Sequence, residues 1–341
     1  MKIAIHHRKG SFSDRWIAYC EEKSISFKIV DAYQNDIIQQ IADCDAFMWH
    51  FNHISAKDTL FAKQLIFAIE SSGKLVFPST NMAWHFDDKV AQKYMLEAIE
   101  APLINSQIFY TKEAAQKWIQ KTDFPIVFKL RGGAGSENVK LVRSKNSAQK
   151  YINKAFGKGF SQYNASVVFK DRLRKYRLGV GSFSNVLKGF VRIFYTTKFA
   201  RVKGNEKGYI YFQKFVPKNT SDTRVIIVGD RAFAVKRMVR ENDFRASGSG
   251  VKKYEKNEID ERTIKIAFEI AKKMEYECVG FDFVFDEQNN PLIVEMGYGF
   301  AIQFYDPCPG YWDTELNWHK GYFIPQAWMV QDVVNKLRKN N

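Results

Sequence analysis

The sequence predicts a mixed α/β and α+β protein, in which an N-terminal parallel α/β domain precedes a larger β-rich part. In the first eighty residues, short apolar strands alternate with helical stretches, as in a parallel sheet with crossover helices. From residue 104 onward, short β-type runs are joined by glycine turns, which favours antiparallel pairing. A chain of 341 residues is also too long for one ordinary domain.

The N-terminal strands are predicted from the apolar runs KIAIHH, SFKIVDA, AFMWHF and KLVFPS. Helices are expected between them at residues 14–23, 34–42 and 57–72. No GxGxxG turn follows the first strand, so a dinucleotide site is not expected there. Histidines lie near the predicted strand ends: His6, His7, His50 and His53. They either line a substrate cleft or are ordinary hydrogen-bonded loop residues.

A further helix is predicted to begin at Asp87 and to end before Pro102. The helix begins with two aspartates, whose negative charges are favourable at the positive end of the helix dipole. Lys129 then lies in the strand IVFKL and is followed by the glycine-rich turn RGGAGSEN. Glycines let backbone N–H groups approach a phosphate closely, although the spacing is not that of a Walker loop. Alone, this turn is weak support for a nucleotide site.

The late hairpin CVGFDFVFDEQNNPLIVEMGYGF follows a helix predicted at residues 261–274. Each of its two strands carries one acid between apolar neighbours, Asp282 in the first and Glu295 in the second. Burying a carboxylate alone is costly, so we expect a cation to meet each of them.

Residues 157–207 form a basic insert, which contains twelve Lys and Arg residues but only two acids. Its basic residues alternate with aromatic ones in runs that we interpret as strand-like. The insert is either a solvated face or a surface for an anionic partner, and the sequence favours neither.

The cysteines are widely separated and lack metal-site spacing, so we expect reduced packing residues: Cys20, Cys44, Cys278 and Cys308. No apolar run approaches the roughly 18 residues of a membrane span, so no transmembrane segment is predicted. The polar start MKIAIHHRKG does not have the pattern of a signal peptide, and a cytoplasmic location is therefore the expectation.

The order of these elements resembles the ATP-grasp superfamily, in the carboxylate–amine ligase branch of the ribosomal-protein glutamate ligase and D-alanyl-D-alanine ligase. The resemblance runs from about residue 81 to 299, and it is most specific in YFQKFVPKNTSDTRVIIVGDRAFAVKRMVRENDFRASGSG and VGFDFVFDEQNNPLIVEMG. It implies an ATP-grasp fold, with an N-terminal Rossmann-like pre-ATP-grasp domain and two β-rich subdomains that sandwich ATP. The implied divisions are 1–80, 81–207 with the basic insert 157–207, and 208–341 with the metal hairpin and aromatic tail.

The same resemblance implies roles for individual residues. Those that would bind the nucleotide are Lys89, Lys129, Gly133, Gly135, Ser136, Gln213, Lys214, Phe215, Val216 and Asp222. Arg224 and Arg245 would face the phosphates and the reacting acyl group, and are the implied catalytic residues. Asp282 and Glu295 would bind Mg²⁺, with Mn²⁺ as a substitute.

One position departs from the family pattern. An asparagine usually follows two residues after the metal-binding glutamate, where this chain has Gly297. Three interpretations stay open: a water or a nearby acid such as Asp306 replaces the asparagine, the second metal is weakly held, or catalysis has been lost.

The implied function is an ATP-dependent ligase that joins a carboxylate to an amine or amino acid through an acyl phosphate, with an acidic sugar or polysaccharide as a candidate acceptor. Two alternatives remain: a polyanion-binding protein on an inactive ATP-grasp frame, and an ATP-grasp phosphotransferase. The aromatic tail at residues 304–328 is either a packed cap or a pocket wall. The resemblance also leaves a homodimer open.

Overall fold

The computed structural model describes residues 1–132, 138–161, 169, 172–173, 176–177, 182–194, 201–202, 204–239 and 251–340. Four of the implied site residues lie outside these ranges: Gly133, Gly135, Ser136 and Arg245. In the described part of the chain, no helix has the length and apolarity that a bilayer span requires. The four cysteines are free and buried, as predicted.

The N-terminal domain is built on a parallel sheet with strand order β2-β1-β3-β4, which confirms the predicted parallel α/β architecture. Its elements are β1 (Ile3–His6), α1 (Phe12–Glu22), β2 (Phe27–Val30), α2 (Ile37–Gln40), β3 (Ala46–Met48), α3 (Ala56–Ser71) and β4 (Leu75–Phe77). The longer helices begin at serine N-caps, because the Ser11 and Ser55 side chains accept hydrogen bonds from first-turn N–H groups.

Two helices lead out of this domain, α4 (Thr80–Ala83) and α5 (Lys89–Ala98). The predicted helix begins two residues later than expected, since Asp87 has a positive φ of 57° and Asp88 is the N-cap. The Asp88 side chain accepts hydrogen bonds from the N–H groups of Val90 and Ala91. This cap fixes Lys89 at the first position of the helix.

The central sheet is antiparallel, with strand order β5-β10-β6-β7. Its strands are β5 (Ser106–Phe109), β6 (Ile126–Lys129), β7 (Val139–Val142) and β10 (Ile210–Lys214), and its helices are α6 (Lys112–Ile119) and α7 (Lys145–Ala155). Alternate residues such as Phe128 and Phe212 enter a core with the two helices. Because β10 pairs with β5 and β6, the chain leaves this sheet after Lys214, later than the predicted division at 207. The domain boundaries themselves stay predictions.

The ends of the basic insert are joined by a short ladder of β8 (Phe160–Ser161) and β9 (Asn205–Glu206). Between them lies α8 (Phe183–Phe194). The strand-like interpretation is therefore wrong for residues 183–194. Their apolar side chains recur every three or four residues, which is helical spacing.

The third sheet has the order β15-β14-β11-β12-β16-β17, with β13 paired to β12. Its elements are β11 (Ser221–Val228), β12 (Arg231–Met238), β13 (Lys252–Lys253), α9 (Glu261–Lys273), β14 (Cys278–Phe285), β15 (Pro291–Gly297), β16 (Gly310–Asp313), β17 (Trp318–Lys320) and α10 (Pro325–Asn340). Its buried residues share one hydrophobic core with the N-terminal domain. The hairpin that carries Asp282 and Glu295 is thereby held against the N-terminal domain.

Candidate active site

A row of charged side chains crosses the third sheet from β12 to β15. Asp222 of β11 is paired with Arg237 of β12, and Arg224 of β11 is paired with Asp282 of β14. Asp282 is in turn the partner of Glu295 on β15. Residues 222 and 224 are two apart and so lie on one face of the strand, which places all five side chains on one side of the sheet.

The two aspartates in this row are held by bidentate arginines. Arg224 donates from Nε to Asp282 Oδ1 at 2.5 Å and from Nη2 to Oδ2 at 2.7 Å. Arg237 donates in the same way to Asp222, at 2.6 and 2.7 Å, and its Nη2 also lies 2.9 Å from Asp282 Oδ2. The expectation that cations meet the buried Asp282 is confirmed. The matched planar geometry of these pairs fixes each side chain.

The two aspartates titrate in opposite directions. Burial raises the pKa of Asp222 to about 6, because its one bidentate partner, Arg237, does not outweigh the loss of solvation. Burial also opposes ionisation of Asp282, but Arg224 and Arg237 together lower its pKa to about 2. Asp282 is therefore a carboxylate at every physiological pH.

The facing wall comes from the central sheet. Val127 and Lys129 of β6 and Gln213 of β10 lie on the face opposite the helices, and line the same pocket as the acids. Gln213 Nε2 donates to the Ser106 hydroxyl at 3.0 Å. Lys129 Nζ donates to the Val294 carbonyl at 3.4 Å, and this contact reaches across to the third sheet.

Two lysines approach Glu295. Lys89 Nζ lies 3.6 Å from Glu295 Oε2. Burial opposes the positive charge of Lys89, but the attraction of Glu295 and Asp87 outweighs it and raises the pKa of Lys89. Lys129 is only 4% exposed, and burial lowers its pKa to about 8 despite the attraction of Glu295. In Glu295 itself, burial is outweighed mainly by Lys89, so its pKa is lowered. The site thus places one firmly charged and one titratable cation beside a carboxylate.

A cleft of about 150 Å³ lies between the two sheets. Eight of the predicted residues line it: Lys129, Gln213, Lys214, Phe215, Val216, Asp222, Asp282 and Glu295. Lys89 contacts Glu295 beside the cleft, whereas Arg224 supports Asp282 and is not part of the lining. The structure thus brings most of the predicted set to one place, while their roles stay predictions.

The connection between β10 and β11 forms the rim of the cleft at residues 214–219. Asn219 holds this connection in place, since its Nδ2 donates to the Phe285 carbonyl and its Oδ1 accepts from the Phe285 N–H, both at 2.9 Å. The rim is therefore tied to the end of β14, the strand that carries Asp282.

Sequence reasoning missed Arg237, which lines the cleft and binds both Asp222 and Asp282. A signal for it was present. The tight turn at Gly229 and Asp230 pairs residue 228 with 231, and counting back along the hairpin places 237 opposite 222.

The predicted Mg²⁺ ligands fit a metal ion that arrives with a nucleotide. In the described ranges, no group of three or more metal-binding side chains is present. At nucleotide sites Mg²⁺ takes one or two carboxylates and completes its shell with phosphate oxygens and water. Asp282 already contacts three arginine N–H groups, so Glu295 is the freer ligand of the pair.

At Gly297, an added Cβ would lie 3.7 Å from the Phe86 ring, which is an ordinary contact.

Two other predicted features lie elsewhere. Asp306 forms a bidentate pair with Arg15, with both contacts at 2.7 Å, so it does not replace the missing asparagine at Gly297. His6, the last residue of β1, and His50, after β3, accept hydrogen bonds from the Ala32 and Phe12 N–H groups. These bonds support the interpretation of both as ordinary hydrogen-bonded residues, although only His50 lies in a loop.

The aromatic tail forms a cap. Its hairpin, β16 and β17, extends the third sheet at the edge of β12. Trp312 is 1% exposed and lies edge-on to Trp318 with ring centroids 4.4 Å apart. Among the residues that the structure describes, those that line the cleft include none from the tail.

Comparisons with known proteins agree with this geometry. A family model described as RimK-like ATP-grasp domain matches residues 198–303. A RimK-domain ATP-grasp protein from Sphaerobacter thermophilus has 12% identity and a TM-score of 0.56, covering 98% of this chain and 100% of that one. D-alanine–D-alanine ligase from Bacillus anthracis, solved with ATP, has 11% identity and a TM-score of 0.58, covering 100% and 99%.

The biotin carboxylase domain of 2-oxoglutarate carboxylase from Hydrogenobacter thermophilus was solved as a dimer with MgADP, ADP and bicarbonate. It has 14% identity and a TM-score of 0.60, and the match covers 98% of this chain and 69% of that one. A search of curated protein sequences finds no match. The chain has the ATP-grasp fold, and its residues 198–303 match the family model of the RimK-like ATP-grasp domain.

Proposed function

We propose that this protein is an ATP-dependent carboxylate–amine ligase that releases ADP. The observation that carries the proposal is the meeting of two charged sheet faces around one cleft. Lys129 and Gln213 come from the central sheet, and Asp282 and Glu295 come from the third sheet. This arrangement offers cations for phosphates and carboxylates for Mg²⁺ within the same space.

The nucleotide would enter with its base against the rim. Lys214, Phe215 and Val216 would hold the adenine, largely through backbone groups, with Asp222 on the ribose side. Lys89 and Lys129 would bind the phosphates, since Glu295 attracts both ammonium groups. Two structural neighbours were solved with ATP or with MgADP bound, which supports this assignment. Gly133, Gly135 and Ser136 are proposed to cover the phosphates.

Mg²⁺ would be held by Glu295, with a smaller contribution from Asp282. When bound, it would offset the charge of the phosphates that repels an incoming carboxylate. Arg224 contributes by fixing Asp282 through its bidentate pair, and so acts as a positioning residue in this structure.

The chemistry is proposed from the charges of the site. ATP would supply the phosphoryl group that turns a poor acyl donor, the carboxylate, into an acyl phosphate, and an amine would then displace phosphate. The cations at Lys89 and Lys129 would stabilise the transferring group, and Arg245 is proposed to stabilise the oxyanion of the second step. Burial of the site would protect the acyl phosphate from water.

The acceptor is proposed to be a small or polymeric acid, such as an acidic sugar. The basic insert supports this proposal, because its net charge of +10 would attract an acid. The aromatic tail does not support it, because it packs as a cap. The protein would work in the cytoplasm, where ATP is available, and a homodimer is compatible with the proposal.

The test is to incubate the protein with ATP, Mg²⁺, pooled uronic acids and pooled amino acids, and to follow ADP and product mass. ADP that requires both pools supports the ligase. ADP and a stable phosphorylated product without any amine would instead identify a phosphotransferase. Polyanion affinity that falls steeply with salt and ignores ATP would identify an inactive binding protein.

Glu295→Gln is the matched control for this assay. It removes a ligand charge from a side chain that is 32% exposed and keeps its shape. Asp282→Ala would be a poorer control, because it would leave Arg224 and Arg237 buried without their shared carboxylate. Equal ADP release by wild type and Glu295→Gln in every pool would contradict the proposal.

A further inference from the structure

Gln92 is a buried glutamine on α5, three residues after Lys89, and it is 4% exposed. Its Oε1 accepts a hydrogen bond from the Met296 N–H group at 3.4 Å, and its Nε2 donates to the His85 carbonyl at 3.1 Å. Both ends of the side-chain amide are therefore used, one as an acceptor and one as a donor. An ionised carboxylate at this position could not donate, and a methionine could replace neither bond.

The acceptor end of Gln92 meets the third sheet at its edge strand, β15. Met296 directly follows Glu295 in this strand and is buried. Because a buried N–H group without a partner is costly, Gln92 supplies at this edge the oxygen that a further strand would otherwise provide. The bond thereby holds α5 against β15 next to the proposed metal ligand.

The donor end of Gln92 meets the turn that begins α5. The His85 carbonyl accepts from Gln92 Nε2 and also from the Asp88 N–H group, at 3.0 Å. Asp88 is the N-cap of the helix, and its Oδ2 accepts from Arg131 Nε at 2.8 Å. The Lys89 N–H group donates to the Arg131 carbonyl at 2.9 Å, just after β6. The first turn of α5 is therefore tied to both walls of the cleft, to the central sheet through Arg131 and to the third sheet through Gln92.

We propose that Gln92 is a positioning residue of the nucleotide site, an inference that rests on the proposed function. It sets the position of Lys89 relative to Glu295, and so the spacing between a cation for the phosphates and a ligand for Mg²⁺. In the structure, the Lys89 and Glu295 side chains also meet directly, at 3.6 Å.

Nucleotide binding would replace this direct contact, because the phosphates would attract the ammonium group of Lys89 and Mg²⁺ would attract the carboxylate of Glu295. The hydrogen bonds of Gln92 involve neither charged group. They can therefore keep α5 and β15 in the same relative position whether or not a nucleotide is bound.

The test is isothermal titration calorimetry of wild type and Gln92→Met with a non-hydrolysable ATP analogue, in the presence and absence of Mg²⁺. Methionine keeps the length of the side chain and loses both hydrogen bonds. With Mg²⁺, the variant should bind the analogue roughly tenfold more weakly than wild type, the usual effect of changing a residue that supports a metal ligand. Without Mg²⁺, its affinity should stay within about threefold of wild type, because no metal then requires the spacing to Glu295.

Gln326→Met is the matched control. Gln326 is also buried, and its Oε1 accepts from Arg15 Nη1 at 3.3 Å, away from the residues that line the cleft. The same substitution there removes a buried hydrogen bond and should lower the melting temperature, yet it should keep the wild-type gain in affinity from Mg²⁺.

The outcomes separate this inference from the proposed function. If Gln92→Met weakens binding equally with and without Mg²⁺, or no more than Gln326→Met does, the inference is overturned and the proposed function stands. If wild type binds no analogue or gains no affinity from Mg²⁺, both are overturned. Hydrogen exchange of wild type tests the inference even if Gln92→Met does not fold. The Met296 amide should exchange slowly with and without the analogue, and rapid exchange in either state would overturn the inference.

Discussion

The titration of Lys129 leads to a prediction about ATP affinity. The side chain is 4% exposed, and burial lowers its pKa from 10.5 to about 8, with Glu295 and Asp282 opposing the shift and Lys89 adding to it. ATP is an anion, so it should bind the protonated form of Lys129 better than the neutral form. ATP affinity should therefore be highest below pH 8 and should fall as the pH rises through this value.

The magnitude follows from the protonated fraction. With a pKa of about 8, the ammonium form makes up about nine-tenths of the protein at pH 7 and about one-tenth at pH 9. If the neutral amine binds ATP weakly, the Kd should rise roughly tenfold over this range, which is about 1.4 kcal/mol. In the protein without nucleotide, the stability of the fold depends on pH with the opposite sign to ATP affinity. A lowered lysine pKa stabilises the fold above pH 10.5, and this contribution is lost as the pH falls toward 8.

The assay is isothermal titration calorimetry with a non-hydrolysable ATP analogue and Mg²⁺ at pH 7, 8 and 9. Lys129→Met keeps the length of the side chain, and should bind at least about tenfold more weakly at pH 7 with no further loss at pH 9. Lys89→Met is the matched control. The pKa of Lys89 is raised, so this variant should weaken binding at all three pH values. Because Lys89 also lowers the pKa of Lys129, the fall in affinity should remain but shift to higher pH.

Two outcomes would refute this reasoning. If Lys129→Met shows the same fall in affinity between pH 7 and 9 as wild type, another group titrates and Lys129 does not hold the phosphates. If wild-type affinity does not change over this range, either the ammonium keeps its proton or it lies outside the ATP site.

Three further predictions concern the third sheet. Arg237→Met should lower the free energy of unfolding by about 3 kcal/mol in urea titrations, because it leaves Asp222 buried without its counter-ion. Glu295→Gln should keep the fold and reduce Mg²⁺-dependent ADP release by about 100-fold, as it removes the freer metal ligand. Gly297→Asn should lower the Mg²⁺ concentration for half-maximal ADP release roughly threefold, because the added amide would offer the proposed metal a further oxygen ligand and its Cβ meets Phe86 at a normal 3.7 Å.

Each of these has a result that would contradict it. For Arg237, the control is Lys218→Met, which breaks an exposed pair with Glu287 and should change stability by less than about 1 kcal/mol. An equal loss in both variants would mean that the buried pair is unimportant. Full activity of Glu295→Gln would remove it from the metal site. An unchanged or higher Mg²⁺ requirement in Gly297→Asn would show that the metal does not lie within reach of position 297.

Much of the local structure followed from residue patterns. Helical periodicity predicted the helix observed as α3 to within one residue at each end, and two apolar runs that each carry one acid predicted the hairpin with Asp282 and Glu295. The basic insert was the exception. Its alternation of aromatic and basic residues suggested strands, while the apolar positions from Phe183 to Val191 follow the helical repeat instead.

The sequence by itself determined which residues could serve a nucleotide: a lysine before a glycine-rich turn and two acids in one hairpin, at separations that resemble a known family. These signals are local, since they depend on neighbours within a strand or a turn. Only the tertiary structure decided that Arg237 shares Asp282 with Arg224, that Asp306 is committed to Arg15, and that Lys129 is buried deeply enough to titrate near pH 8. Burial and ion pairing depend on groups far apart in the chain, and their energies arise only when the sheets exclude water between them.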